Sequence, residues 1–235
     1  MTPGAPNDLR CAALLPAGGS GARFGGELPK QFVAVQGDPL ITWAIRRFVD
    51  SGAVERIVVA VPAEYRDLMG SIVERGQWST PILVVEGGAT RQESVWNALS
   101  LAGDVGIVAV HDAVRPLFSP ALLRGLIAAA AEHGGAIPGV PLTETIHRVS
   151  NGWIGETPAR EEFIAAQTPQ CFRKSILVEA LQRAREEGYA GTDEAGIVAR
   201  YGHPVRVLAG ETANVKVTHP TDLDRLRSSL DQGAK

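Results

Sequence analysis

At 235 residues, with 45% hydrophobic and 21% charged side chains, the chain has the makeup of a soluble α/β protein able to bury a substantial core, and disorder is excluded for most of its length. A formal net charge of −3 gives no general attraction for nucleic acid or for an anionic membrane surface, so functional cations must act locally. Cys11 and Cys171 stand in no metal-ligand spacing, no run approaches the ~18 apolar residues of a membrane span, and residues 1–8 lack the charged and apolar regions of a leader. The expectation is a cytoplasmic protein with reduced thiols, a disordered tail at 1–8 and one domain over 9–235.

The first apolar run, Ala12–Leu15, reads as a strand covered on both faces. It opens into Pro16-Ala17-Gly18-Gly19-Ser20-Gly21-Ala22-Arg23-Phe24-Gly25-Gly26-Glu27-Leu28-Pro29-Lys30-Gln31. Glycines let backbone N–H groups approach phosphate oxygens, and Arg23 and Lys30 can neutralise the charge that amides only solvate. Phe24 stands where a dinucleotide fingerprint needs its last glycine, and Lys30 precedes Gln31 rather than Ser or Thr, so neither a dinucleotide loop nor a Walker loop is present. A polyphosphate cradle of another kind remains, with a solvated surface turn as the alternative.

Beyond it, Leu40–Ser51 is a predicted helix with Ile41, Ala44, Ile45 and Phe48 on one face. Ile57–Val61, Ile82–Val85 and Ile107–Val110 are predicted strands of a parallel sheet, with Arg91–Leu101 and Pro120–His133 as crossover helices, the latter stopped by Gly134-Gly135. The third strand leads into Glu86-Gly87-Gly88-Ala89-Thr90-Arg91-Gln92-Glu93-Ser94. There Gly87 and Gly88 can admit a base or ribose, and Ser94 can read a base edge or serve as a helix-start serine. His111-Asp112-Ala113-Val114-Arg115-Pro116 follows the fourth strand, at the sheet edge where open α/β sheets bind ligands. Asp112 is thereby a Mg²⁺ candidate, since that ion needs one carboxylate beside phosphate oxygens and waters. Capping of a turn is its alternative, and His111 reads as a satisfied near-core histidine.

From about Ala136 to Gln170 the rhythm changes to a Pro-punctuated segment with the hairpin signal Asn151-Gly152. An isolated two-stranded arm is marginal in water, so it is expected to pack on a second subunit. Thr145, Arg160 and the Gln167-Thr168-Pro169-Gln170 run carry groups suited to a second anion. A helix over Arg173–Glu187, another from Thr192, a strand at Val205–Leu208 and a last helix from about Pro220 complete the chain. Between them Lys216 is a lone cation in the apolar strand-like run Asn214–Thr218, where burial would demand an anionic partner.

In order, the runs P-A-G-G-x-G-x-R-F-G, L-P-K-Q, G-G-x-x-R-x-x-S, H-D-A-V-R-P, Q-T-P-Q, T-D-E-A and N-V-K-V-T resemble the 2-C-methyl-D-erythritol 4-phosphate cytidylyltransferase family from Cys11 to about Leu226. The resemblance implies a Rossmann-like three-layer α/β nucleotidyltransferase fold, with a mostly parallel twisted sheet, a protruding β-arm and a homodimer formed through that arm. It implies that Ala17, Gly18, Gly19, Arg23 and Lys30 hold the phosphates of CTP, that Gly87, Arg91 and Ser94 surround the cytidine, and that Asp112 binds Mg²⁺. Arg115, Thr192 and Lys216, with Thr145, Arg160 and Thr168 from the arm region, would surround methylerythritol phosphate, some of them from the partner. Arg23, Lys30, Arg160 and Lys216 would be the catalytic cations. The family often has an acid two positions before the matching lysine or one further upstream, whereas Ala213 and Asn214 stand here, which leaves open what orients Lys216. Gly18 for a common alanine and Glu144 for a common aspartate look tolerable. The implied nucleophile is a substrate phosphate oxygen, already anionic, so no general base is needed and the absence of a Ser-His-Asp or Cys-His set is accounted for. Three runs, L-P-K-Q-F, H-D-A-V-R-P and Q-T-P-Q, also resemble ribitol-5-phosphate cytidylyltransferase, while Pro16 and Thr192-Asp193-Glu194-Ala195 favour the methylerythritol enzyme. A nucleotide-binding regulator without chemistry is the alternative from another class.

Overall fold

Alternate residues of the first strand, β1 (Cys11–Pro16), face opposite ways: Ala13 and Leu15 enter one core while Ala12 and Leu14 enter another. This is the two-residue period of a strand buried on both faces. The structure is a computed structural model describing residues 9–19 and 28–233. Arg23 and the tail expected over 1–8 therefore lie outside the described residues.

The elements that follow are β2 (Ala34–Val35), β3 (Asp38–Pro39), α1 (Leu40–Ser51), β4 (Arg56–Val61), α2 (Arg66–Gly76), β5 (Ile82–Glu86), α3 (Arg91–Leu99), β6 (Ile107–Val110) and α4 (Pro120–His133). Then come β7 (Gly135–Pro141), β8 (Val149–Ser150), β9 (Trp153–Ile154), β10 (Ile164–Ala166), β11 (Gln170–Arg173), α5 (Lys174–Glu186), α6 (Glu194–Arg200), β12 (Arg206–Ala209) and α7 (Thr221–Gly233). The main sheet runs β10-β7-β11-β6-β1-β4-β5, with β12 paired to β7. β6, β1, β4 and β5 are mutually parallel, and β11 inserts antiparallel between β6 and β7.

Helices cover both faces. On one, Ile41, Ile45 and Phe48 of α1 and Leu123, Leu126 and Ala130 of α4 pack on Ala13, Leu15, Val59 and Ala109. On the other, Val95 and Ala98 of α3, Leu177 and Leu181 of α5 and Ile197 of α6 pack on Leu14, Val58, Ala60 and Val108. A third, smaller core joins Leu223, Leu226 and Leu230 of α7 to Val35, Leu40, Val114 and Val217. The 3-4-residue spacing of the three leucines puts them on one helical stripe.

Two expectations are corrected. The segment from 136 to 170 is not all arm: residues 135–141 and 164–173 are strands of the main sheet, with a short turn at 167–169 between β10 and β11, and only the stretch between β7 and β10 leaves it. Its β8–β9 hairpin turns at Asn151 (φ 49°) and Gly152 (φ 82°), the two positive φ values that an Asn-Gly hairpin turn requires. Residues 214–218 form no strand; they cross the sheet edge, pinned where Val217 N donates to Val114 O (3.0 Å) and its side chain is buried.

Candidate active site

Two cavities meet where β1, β5 and β6 end. The larger, about 440 Å³, is lined by Ala17, Gly18, Gly19, Lys30, Thr90, Arg91, Ser94, Asp112 and Lys216 among others. The smaller, about 190 Å³, is lined by Arg115, Gln167, Thr168, Thr192 and Asp193, and by the same Arg91, Asp112 and Lys216. These three shared side chains form the wall between the cavities.

The floor of the larger cavity is built from short-range chemistry. Ala17 N donates to Ala60 O (2.8 Å), which continues the strand pairing into the loop, and Gln31 Nε2 donates to Ala17 O (2.6 Å) and Gly19 O (3.4 Å). Gln31 is 2% exposed and ties the loop end to the turn carrying Lys30. Lys30 Nζ donates to Val217 O (3.0 Å), which brings this cation beside the Lys216 segment. A Cβ on Gly18 would meet Ser94 Oγ at 3.5 Å, an ordinary contact, so the alanine common at this place would fit.

The opposite rim explains its glycines. A Cβ on Gly88 would lie 2.2 Å from Glu93 Cβ, and one on Gly87 would lie 3.0 Å from Ser94 Oγ. Thr90 caps α3: its side chain accepts from Glu93 N (3.1 Å) while Glu93 Oε2 accepts from Thr90 N (3.1 Å), a capping box. Ser94 is 1% exposed, donates to Thr90 O (3.0 Å) and accepts from Gly88 N (3.1 Å). Its hydroxyl therefore braces the glycine turn in this structure, and Thr90 rather than Ser94 is the cap.

Asp112 sits at the centre of the charge network. Lys216 Nζ lies 2.8 Å from Asp112 Oδ2, Arg91 Nε 3.2 Å from Oδ1, and Arg115 Nε 3.7 Å from Oδ2. Burial alone would raise this carboxyl, but Arg91, Lys216 and Arg115 hold it well below the usual carboxylate range. Asp112 is the anionic partner that Lys216 needs, reached across the fold from a residue 104 positions away rather than from a sequence neighbour. Asn214, fully buried, fixes the backbone of that segment: its Nδ2 donates to Thr168 O (2.8 Å), and its O accepts from Arg115 Nη1 (2.9 Å).

The buried His111 fits the near-core reading. Its ring packs edge-on against Phe48 and Phe118, with Nε2 2.8 Å from Arg115 O and Nδ1 2.9 Å from Thr168 Oγ1. Burial lowers its pKa to about 4, so the ring is neutral, Nε2–H donates to Arg115 O, and Nδ1 accepts from the Thr168 hydroxyl. The same hydroxyl accepts from Asp112 N (3.1 Å). Thr168 is 4% exposed with its hydroxyl engaged on both sides by this turn, so it shapes the small cavity from behind, whereas Thr192 is exposed at its rim. Thr145 and Arg160 lie on the arm, exposed, and line neither cavity; Arg160 Nη1 donates to Thr143 O (2.9 Å). Residues that sequence reasoning missed are Gln31 and Glu194, each inside a quoted run and each recognisable only once its buried partners are known, whereas Gln167, expected near a second anion, does line the smaller cavity.

Among the described residues no cluster of three His, Cys, Asp or Glu side chains could cage a metal ion. Asp112 is the acidic residue among those lining the larger cavity. That donor set fits an ion carried mainly by phosphate oxygens and waters and rejects an all-protein site.

The model of the family described as IspD, 2-C-methyl-D-erythritol 4-phosphate cytidylyltransferase, matches residues 11–232. A curated relative of that name from Solibacter usitatus is 40% identical over 228 residues, covering 92% of this chain and 93% of its own. One from Symbiobacterium thermophilum is 39% identical over 226 residues, covering 95% and 94%. The crystal structure of 2-C-methyl-D-erythritol 4-phosphate cytidylyltransferase from Thermus thermophilus superposes with a TM-score of 0.76 at 32% identity, over 94% of this chain and 98% of that one.

Proposed function

The chain belongs to the 2-C-methyl-D-erythritol 4-phosphate cytidylyltransferase family, and on that premise we propose how its residues divide the work. The protein is a nucleotidyltransferase of isoprenoid precursor biosynthesis that joins CTP to methylerythritol phosphate and releases pyrophosphate. CTP takes the larger cavity, with Ala17, Gly18, Gly19, Arg23 and Lys30 on its phosphates and Arg91 and Ser94 beside the cytidine; of the two rim glycines Gly88 lines the cavity, whereas Gly87, expected there, does not. Methylerythritol phosphate takes the smaller one, against Arg115, Thr192 and Lys216 over the Thr168 floor. The observation that supports this assignment is the shared Arg91–Asp112–Lys216 wall, which sets two cavities carrying cationic side chains next to each other.

In the transfer a phosphate oxygen of the acceptor attacks the α-phosphorus of CTP while the bond to the β-phosphate oxygen breaks. The acceptor oxygen is already ionised, so the protein's contribution is positioning and charge stabilisation. Lys30 and Arg23 stabilise charge on the triphosphate, and Lys216, reached from both cavities, steadies the incoming phosphate. Asp112 would hold a divalent cation such as Mg²⁺, which when bound draws charge from phosphate oxygens. The arm exposes Val149, Trp153 and Ile154 at 63%, 80% and 68%, an apolar strip that supports a homodimer in which Thr145 and Arg160 reach the second copy's acceptor site. A cytoplasmic setting suits two buried, unpaired thiols at Cys11 and Cys171.

Phosphorus NMR tests the reading. With CTP, Mg²⁺ and methylerythritol phosphate, the acceptor's monoester signal should give way to a diphosphate pair and free pyrophosphate, while ribitol-5-phosphate in a parallel tube stays unconverted. Conversion of ribitol-5-phosphate alone would move the activity to that acceptor. Conversion of neither would leave a nucleotide-binding protein without transfer.

A further inference from the structure

Glu194, the first residue of α6, is 1% exposed, and both of its carboxylate oxygens accept from Arg91 Nη1, at 2.7 and 2.8 Å. A carboxylate in that position is costly unless it is paired, and among the described residues Arg91 is its ion-pair partner. Arg91 in turn uses Nε on Asp112 and lines both cavities. The backbone around Glu194 is braced by hydrogen bonds. Asp193 caps α6 by accepting from Gly196 N (2.9 Å), and buried Gln170 of β11 donates to Asp193 Oδ2 (2.8 Å) while accepting from Ala195 N (3.0 Å). The backbone that carries Glu194 is thus clamped to the sheet through β11 on either side.

We propose that Glu194 is a positioning residue of the nucleotide site, acting through Arg91. Without it, the Arg91 guanidinium would have Asp112 as its carboxylate partner and would compete there with Lys216 and Arg115. With it, Arg91 is held at two points on its planar fork, which fixes the plane and leaves Asp112 Oδ2 to Lys216 and Arg115. Glu194 touches neither cavity, so its influence on substrate must pass through the guanidinium it holds. The inference rests on CTP occupying the larger cavity.

The test uses the full chain. Glu194→Gln keeps the shape and removes the charge, Glu194→Asp keeps the charge on a shorter stem, and Arg91→Lys removes the fork. CTP affinity is measured by calorimetry without acceptor, with steady-state kinetics and melting curves beside it. Glu194→Gln should weaken CTP binding and raise KM for CTP about tenfold, the scale of one charge-assisted hydrogen bond, with kcat changed less than KM. Arg91→Lys should do the same, the double variant should be no worse than Arg91→Lys alone, and Glu194→Asp should recover part of the loss. A folded Glu194→Gln that binds CTP as the parent does, or losses that simply add in the double variant, would overturn the proposal. If Glu194→Gln does not fold, the comparison of Glu194→Asp with Arg91→Lys decides by the same criterion. A parent protein that binds no CTP would instead overturn the assignment of the larger cavity.

Discussion

Lys216 is held by the carboxylate of Asp112, on a different segment of the chain. Its sequence neighbours Ala213 and Asn214 offer no charge, yet Asp112 reaches it at 2.8 Å because the segment is folded back over the sheet edge by buried Asn214 and Val217. Lys30 is held against the carbonyl of Val217; in the role proposed for it on the triphosphate, Lys30→Ala should lower kcat by roughly 10²–10³, the scale for losing one preorganised charge-stabilising group. Near-parental turnover of a folded variant would remove Lys30 from the transfer. His111 carries a prediction about stability. Burial lowers its folded-state pKa from 6.5 to about 4. Between those values the unfolded chain takes up a proton that the folded chain refuses, so this contribution is full above about pH 6.5 and is lost as the pH falls toward 4. Between neutral pH and pH 5 the parent should lose roughly 2 kcal/mol through this ring. Denaturant titrations should show a flatter acid limb for His111→Gln, and equal slopes for both proteins would contradict the account.

At the scale of elements, α3 joins local chemistry to function. The Thr90–Glu93 capping box sets the start of the helix, and Ser94 one turn later braces Gly88 at the cavity rim. Thr90→Ala should cost about 1 kcal/mol of stability and weaken CTP binding, read as a lower melting temperature together with a raised KM for CTP. An unchanged KM would show that the cap supports the helix alone. The parallel strands, α1 and α4 are legible in the sequence because continuous apolar runs and 3-4 spacing report burial directly. β7 is not, since Gly135-Ala136-Ile137-Pro138-Gly139-Val140-Pro141 has the composition of a loop. It serves as a strand because Pro138 falls where its partner changes from β11, paired at Gly135 and Ala136, to β10, paired from Gly139 onward. β11 is hidden for a different reason: four residues continuing a polar Gln-Thr-Pro-Gln run carry too little periodicity to mark a strand. The site residues are legible as ordered motifs, whereas their roles as braces, such as those of Ser94 and Thr168, depend on hydrogen bonds that no spacing encodes.

For the whole molecule, the sheet edge supplies both cavities, and the arm supplies Arg160, a cation that lines neither of them in its own chain. On that arm Val149, Trp153 and Ile154 form an exposed apolar strip, which we propose is covered by a second copy of the chain. Trp153→Asp should weaken self-association, visible by sedimentation as a shift toward monomer at micromolar concentration, with activity falling as the dimer is lost. A dimer of unchanged strength would place the interface elsewhere. In the proposed dimer one catalytic site is assembled from the sheet edge of one copy and the arm of another. Mixing Lys30→Ala with Arg160→Ala tests this assembly, since each variant should be nearly inactive by itself. If sites are shared, heterodimers contain one site with both defects and one with neither, so pyrophosphate release with CTP, Mg²⁺ and methylerythritol phosphate should recover to about a quarter of the parental rate after subunit exchange. Activity that stays at the level of the separate variants, with exchange demonstrated, would contradict the account and place each complete site within a single chain.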